Sequence, residues 1–544
     1  MKLLGKWSMV IAKKVLDGTF ALFSINNYQR QKDEKRSSLL VSFQSPSATE
    51  ITFSPPVSLG IIRVTTNRIS LLRALVTGIS LLLSPKQSKE VNMAPSKLFS
   101  PLQLGSIGRL KHRVVMAPLT RLRATEPGLV PSPLAVQYYR QRASPGGLLI
   151  SEATNISPES HAYPSAPGIW SDAQVEGWKK VNNAVHEKGG FITCQLWHCG
   201  RIAHPNFKNH PAVKDSPYTP GVSSSAVPFS NADGSRAKAL TYDGFLEHQV
   251  PRALREDEIP RLRQDYHHAA KNAELAGFDG VEVHAAHGYL IDQFLNNQVN
   301  KRTDKYGGSI ENRCRLLKEV LETVLQVWPA EKVGVRLSPH DSPNGGSTYH
   351  DCQDSDPDAL YQHAIKMLDK YNLAYLLLTE PSWLKGKTED PEKLNKDFIP
   401  QRNLMFRDLY RGTIIGSGGF NPRSSYQCMK DVNETSKRGY DALAFGRWFI
   451  ANPDLPERVR QWHEYEANQR SGPEPNLFNR YDRSTFYTHE ERGYIDYPSL
   501  AFEASLRGDS QSSENLDFDG MQLDKYPLLH AEEMKPRMSN KAKL

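Results

Sequence analysis

Two histidines three residues apart, His284 and His287, stand just ahead of Gly288 and Tyr289. Two neutral imidazoles can donate a pair of hydrogen bonds to one carbonyl oxygen, and a phenol beside them can give a proton to carbon once negative charge has built up there. The short run Val281–Val283 before them has the character of a buried strand. A core strand has no need of such a cluster at its end, because each polar group would require a partner if buried. A metal site on the same histidines needs three or four ligands, and no further His or Cys stands at a helpful local spacing. No metal is expected, and a metal-dependent hydrolase using His284 and His287 is the competing class.

The elements that must position these residues follow a regular rhythm from about 98 to 497. Short apolar or β-branched runs recur at Val114–Leu119, Leu148–Ala153, Phe191–Trp197, Val281–Ala285, Val333–Leu337, Tyr375–Thr379, Thr413–Ser417 and Ala442–Phe445. Helical patterning separates or follows them at 132–142, 175–188, 257–276, 311–328, 357–371, 401–411, 423–437 and 452–468. Strands alternating with helices imply parallel pairing through crossovers. Eight such units predict an α/β protein of the (β/α)8 TIM-barrel class, a single catalytic domain over 96–498. A doubly wound sheet competes less well, since no Gly-x-Gly-x-x-Gly turn follows the first strand. A Pro-, Ser- and Gly-rich insertion at 205–256 is long enough to be either functional or disordered.

In such barrels the chemistry sits at the C-terminal strand ends. Here those ends carry Ala117-Pro118-Leu119-Thr120, Glu152-Ala153, Gln195-Leu196-Trp197-His198, His284 with His287, Arg336, Gly416-Ser417-Gly418-Gly419-Phe420 and Gly446-Arg447. Glycines after the seventh and eighth strands expose backbone N–H groups against which a phosphate can sit, and Arg447 adds a charge-assisted partner. Gln195 and Thr120 suit the edge of a planar ring.

Charge is unevenly placed. Residues 1–92 hold 13 Lys/Arg against 5 Asp/Glu, leaving 55 against 55 in the remainder. The basic balance therefore belongs to a leader, expected to be disordered, and not to the folded body, which removes the main electrostatic argument for nucleic-acid binding. This stretch reads either as an organelle-targeting segment or as sequence upstream of a start at Met93. Its most apolar run, Leu71–Leu83, falls short of the roughly 20 residues that a membrane span needs. The five cysteines (Cys194, Cys199, Cys314, Cys352, Cys428) show no metal-type pairing and read as thiols of a reducing compartment. Residues 499–544 read as a polar tail.

The strand ends resemble the old yellow enzyme family of flavin-dependent ene-reductases over about 96–498. The likeness rests on Ala117-Pro118-Leu119-Thr120-Arg121, Gln195-Leu196-Trp197-His198, His284-x-x-His287-Gly288-Tyr289-Leu290 and Arg302-Thr303-Asp304-x-Tyr306-Gly307-Gly308-Ser309 with Asn312-Arg313 after it. Phe445-Gly446-Arg447-Trp448, Asn452-Pro453-Asp454-Leu455 and Phe486-Tyr487-Thr488 complete it. Within the family the chain looks closest to the 12-oxophytodienoate reductases. The resemblance implies FMN held by Pro118, Leu119, Thr120, Ala153, Gln195, Arg336, Gly418, Gly419, Gly446 and Arg447, with NADPH as reductant. It implies an α,β-unsaturated carbonyl substrate, an oxylipin or a general xenobiotic enone, polarised by His284 and His287 and protonated by Tyr289. Arg336 would then stabilise an anionic reduced ring, and Tyr163, Trp197 and Tyr487 would line the substrate site.

The chain departs from the family pattern at Glu380-Pro381-Ser382-Trp383, where many members carry an arginine in place of Ser382. The closing tripeptide Ala542-Lys543-Leu544 is similar to a peroxisomal address; a leader would point instead to a plastid, and the cytoplasm is the remaining alternative. A monomer or homodimer is expected.

Overall fold

The computed structural model describes residues 9–14, 20–27, 39–43, 51–53, 96–231, 233–340, 349–381, 401–435, 438–468 and 475–506. Two units divide the chain, Met1–Met93 and Ala94–Leu544. In the first, the backbone runs Met9–Lys14, Phe20–Asn27, Leu39–Phe43 and Ile51–Phe53 are strands paired antiparallel in chain order. These four stretches lie within the segment 1–92, and their apolar and β-branched residues suit the pairing; the rest of that segment lies outside the described residues. Leu71–Leu83, Met93, Ser382, Trp383 and the tail from 507, with Ala542-Lys543-Leu544, lie outside the described residues.

The second unit is built on eight parallel strands: β1 (Val114–Met116), β2 (Leu148–Ile150), β3 (Phe191–Trp197), β4 (Gly280–His284), β5 (Val333–Leu337), β6 (Tyr375–Thr379), β7 (Ile414–Ser417) and β8 (Ala442–Phe445). Each pairs with its neighbour in order, and β8 pairs with β1, so the sheet closes into a (β/α)8 barrel. All eight expected strands are present, some trimmed at the ends. Around them lie α1 (Pro133–Arg142), α2 (Asp172–Glu187), α3 (Ile259–Leu275), α4 (Arg315–Val324), α5 (Pro357–Leu368), α6 (Pro422–Thr435) and α7 (Leu455–Ala467). The helix expected at 401–411 is a 3-10 helix, Arg402–Leu409. Side-chain caps start several of these, including Ser171, whose oxygen accepts the Gln174 N–H in a reciprocal capping box.

Alternation along the strands decides what faces the axis. Val281, Val283, Val335, Leu376, Leu378 and Leu443 pack outward with helix residues in one large core. Val115, Leu148, Ile150, Tyr375, Leu377, Ile415, Ala442 and Ala444 form a separate inner cluster. The same alternation sends Gln195, Glu282, His284, Arg336 and Thr379 inward, so β3 to β6 bring polar groups to an otherwise apolar barrel. Gly334 is required there, because a Cβ would lie 2.3 Å from the Tyr375 ring that crosses it.

The insertion is folded over its described length. It contains a hairpin of Lys238–Thr241 with Gly244–Glu247, and Val222–Ser223 pairs with Arg252–Ala253. Tyr242 and His210 fasten it to Glu126, with Tyr242 Oη donating at 2.6 Å and His210 Nε2 lying at 2.8 Å. At the other end, packing continues past the boundary expected at 498: Arg458 Nη2 donates to Pro498 O at 2.8 Å and to Glu503 at 3.0 Å, tying the helix Leu500–Leu506 to α7. A charged pair of this kind is not visible as hydrophobic periodicity, which is why the tail was expected to begin earlier.

Candidate active site

His284 is the last residue of β4, opposite Arg336 of β5. Its Nδ1 accepts the backbone N–H of Ala286 at 3.3 Å, which leaves the ring proton on Nε2. Burial, with Arg336 and His350 nearby, holds its pKa well below the usual histidine value. It is therefore a neutral N–H donor across the physiological range.

His287 adopts φ +59°, the left-handed region that costs a non-glycine residue of order 1 kcal/mol or more. Three contacts hold it there. Ser338 Oγ accepts its N–H at 2.9 Å, His350 Nδ1 donates to its carbonyl at 2.9 Å, and its Nε2 lies 3.0 Å from Thr379 Oγ1. The two histidine rings meet edge-on at 5.4 Å.

Tyr289 stands edge-on to His284 at 5.1 Å and to Trp197 at 4.9 Å. Its hydroxyl is 3.4 Å from that of Tyr163, whose ring stacks on Trp197 at 5.7 Å. Burial raises the pKa of both phenols, Tyr289 far above its usual value. Tyr289 consequently keeps its proton until an acceptor with developing charge arrives. Phe229 and Leu240 of the insertion pack on the same group. Tyr487 is 60% exposed and its ring lies 6.3 Å from that of Phe486; it is near enough to act electrostatically on Tyr163 and Tyr289.

The expected cofactor residues fall into two sets. Pro118, Leu119, Thr120, Gly418, Gly419, Gly446 and Arg447 are all half-buried, at the adjacent ends of β7, β8 and β1. Gly418 and Gly419 have φ +87° and +75°, and a Cβ on Gly418 would sit 2.7 Å from the Glu380 carbonyl. Only glycine makes this turn, whose backbone N–H groups suit a phosphate. Arg447, at the end of β8, has its guanidinium 5.8 Å from the centre of the Tyr481 ring. Ala153, Gln195 and Arg336 are buried. Gln195 Nε2 donates to Glu282 Oε1 at 2.6 Å, and Arg336 Nε donates to Thr379 Oγ1 at 3.3 Å. Phosphate donors on one side and amide and guanidinium on the other fit FMN. Among the described residues no group of three or more His, Cys, Asp or Glu is placed to hold a metal ion, and no helix is long and apolar enough to cross a membrane.

Sequence reasoning missed four residues of the site: Glu282, Ser338, His350 and Thr379. Thr379 carried a readable signal, since it ends an apolar strand on the inward-facing set.

Comparison with known proteins gives a consistent result. A model of the NADH:flavin oxidoreductase / NADH oxidase family matches residues 97–466. The chain is 41% identical over 417 residues to 12-oxophytodienoate reductase 1 of Oryza sativa subsp. japonica, covering 76% of this chain and 96% of that protein. It is 41% identical over 406 residues to 12-oxophytodienoate reductase 2 of Arabidopsis thaliana, covering 74% and 96%. Among solved structures, morphinone reductase is 42% identical with a TM-score of 0.61, covering 75% and 98%. The old yellow enzyme homologue from Zymomonas mobilis is 40% identical with a TM-score of 0.61, covering 74% and 99%.

Proposed function

The chain belongs to the NADH:flavin oxidoreductase / NADH oxidase family, in its old yellow enzyme group, and from that premise we propose that it reduces the C=C bond of conjugated enones with NADPH, oxylipins among them. FMN is the cofactor and a nicotinamide the reductant of this ene-reductase family. The likeness to 12-oxophytodienoate reductases supports the oxylipin part of the reading.

FMN, when bound and reduced, supplies the hydride that the substrate β-carbon receives. In this reading Pro118, Leu119, Thr120, Ala153, Gln195, Arg336, Gly418, Gly419, Gly446 and Arg447 hold it. The chain's own residues do the rest. His284 and His287 bind the carbonyl oxygen and stabilise the negative charge that gathers there, which withdraws electrons from the β-carbon. Tyr289 gives its proton to the α-carbon. Trp197 and Tyr163 hold Tyr289 in place.

The observation that carries the proposal is the meeting of His284 and Tyr289 at 5.1 Å, with the first fixed as a neutral donor and the second kept protonated. Anaerobic turnover of 2-cyclohexenone with NADPH tests it. Cyclohexanone is the expected product, formed in step with cofactor oxidation. Recovery of the enone unchanged, with NADPH left unoxidised, would overturn it.

A further inference from the structure

Thr379 Oγ1 is a meeting point of three side chains: Arg336 Nε donates to it at 3.3 Å, Ser417 Oγ donates to it at 3.2 Å, and His287 Nε2 lies at 3.0 Å. A hydroxyl has one proton and two acceptor sites. The guanidinium nitrogen can only donate, so Arg336 takes one acceptor site. Ser417 takes the other. The hydroxyl's own proton then has His287 Nε2 as its partner, which makes that nitrogen the acceptor and puts the imidazole proton on Nδ1. In the opposite arrangement His287 Nε2 would donate, Ser417 would turn to its second acceptor, Leu378 O at 3.3 Å, and the Thr379 proton would have to reach Ser417 Oγ, the reverse of the direction in which that pair is bonded. Thr379 is 4% exposed, so its proton cannot turn to bulk water instead.

We propose that Thr379 is a positioning residue that fixes the tautomer of His287, so that the ring offers Nδ1–H to the substrate carbonyl beside the Nε2–H of His284. The two histidines thus use opposite nitrogens, each set by a hydrogen bond at its other nitrogen: the Ala286 N–H for His284 and the Thr379 hydroxyl for His287. Arg336 polarises the Thr379 hydroxyl from the far side, which strengthens its donation to His287. The inference rests on the ene-reductase reading for its role in binding, but the tautomer itself is a property of the protein alone.

The test uses full-length protein with FMN, in three forms: unaltered, Thr379→Val and Thr379→Ser. Valine keeps the shape and removes the hydroxyl; serine keeps the hydroxyl. Phenol is the probe, followed by the visible spectrum. Thr379→Val is expected to bind phenol about tenfold more weakly, and Thr379→Ser to come within about twofold of the unaltered protein. Nitrogen NMR of 15N-histidine-labelled protein, with His287→Asn used to assign the signal, is expected to show His287 protonated at Nδ1. In Thr379→Val that preference is lost. A His287 proton on Nε2 in the unaltered protein overturns the proposal, as does a Thr379→Val variant with unchanged phenol affinity. Absence of any phenol response in the unaltered protein counts against the ene-reductase reading instead, while the NMR result still decides the tautomer, including in a variant that loses FMN.

Discussion

Gln195 Nε2 donates to Glu282 Oε1 at 2.6 Å, joining β3 to β4 across directly paired positions inside the barrel. Glu282 takes one amide N–H, which fixes the amide plane and leaves the amide oxygen and the second N–H to meet a ligand. Glu282 is fully buried. Burial raises its pKa, while Arg336 and the Gln195 bond act in the other direction.

Glu282→Gln removes the carboxyl group that accepts from Gln195 and lies near Arg336. FMN is expected to bind roughly tenfold more weakly, in line with the loss of one hydrogen bond. Fluorescence titration of apoprotein with FMN measures this. An affinity equal to that of the unaltered protein would remove Glu282 from this role.

His284 and His287 act as a pair in binding the carbonyl oxygen. Replacing both by alanine is expected to weaken phenol binding at least a hundredfold, about 3 kcal/mol for two charge-assisted bonds, while FMN stays bound. Loss of FMN together with phenol binding would show that the histidines support the fold and not the anion.

Stability should depend on pH in a direction set by buried histidines. Burial lowers His161 to about 3 and His112, His248 and His463 to about 4. Unfolded, these groups take up protons near pH 6.5, so their neutral burial is favourable above 6.5 and stability is lost as pH falls from there towards 4. Glu152 and Glu380 act oppositely. Burial raises both to about 7, so their contribution is present below the unfolded value of 4.5 and fades as pH rises towards 7. Four histidines outweigh two carboxyls. The melting temperature is therefore expected to rise from pH 4.5 to 6.5, and a profile that falls over this range would refute the assignment.

Much of this fold could be read from the chain because each barrel strand is a short apolar run bounded by turns. Gly280–His284 is the clearest case, with all five residues buried and its polar members on the inward set. The strand ends were legible for the same reason: His284, Gln195 and Arg336 interrupt apolar alternation. The contacts of His287 were not. Thr379 and His350 reach it across 92 and 63 residues, and such long-range contacts leave no local pattern in the sequence. The 3-10 geometry of Arg402–Leu409 was also hidden. Asn403 is tied to the end of β6, donating from its backbone to Glu380 and from its side chain to Thr379 O, and these tertiary bonds override a local helical pattern.

The central claim is that Tyr289 donates a proton to the substrate and takes no part in flavin reduction. Rapid-mixing kinetics on Tyr289→Phe separate the two half-reactions. Flavin reduction by NADPH is expected to stay within about twofold of the unaltered rate, while reoxidation by 2-cyclohexenone slows by about 10²-fold or more, the usual scale of a lost general acid. Equal loss in both half-reactions, or none in the second, would contradict the account.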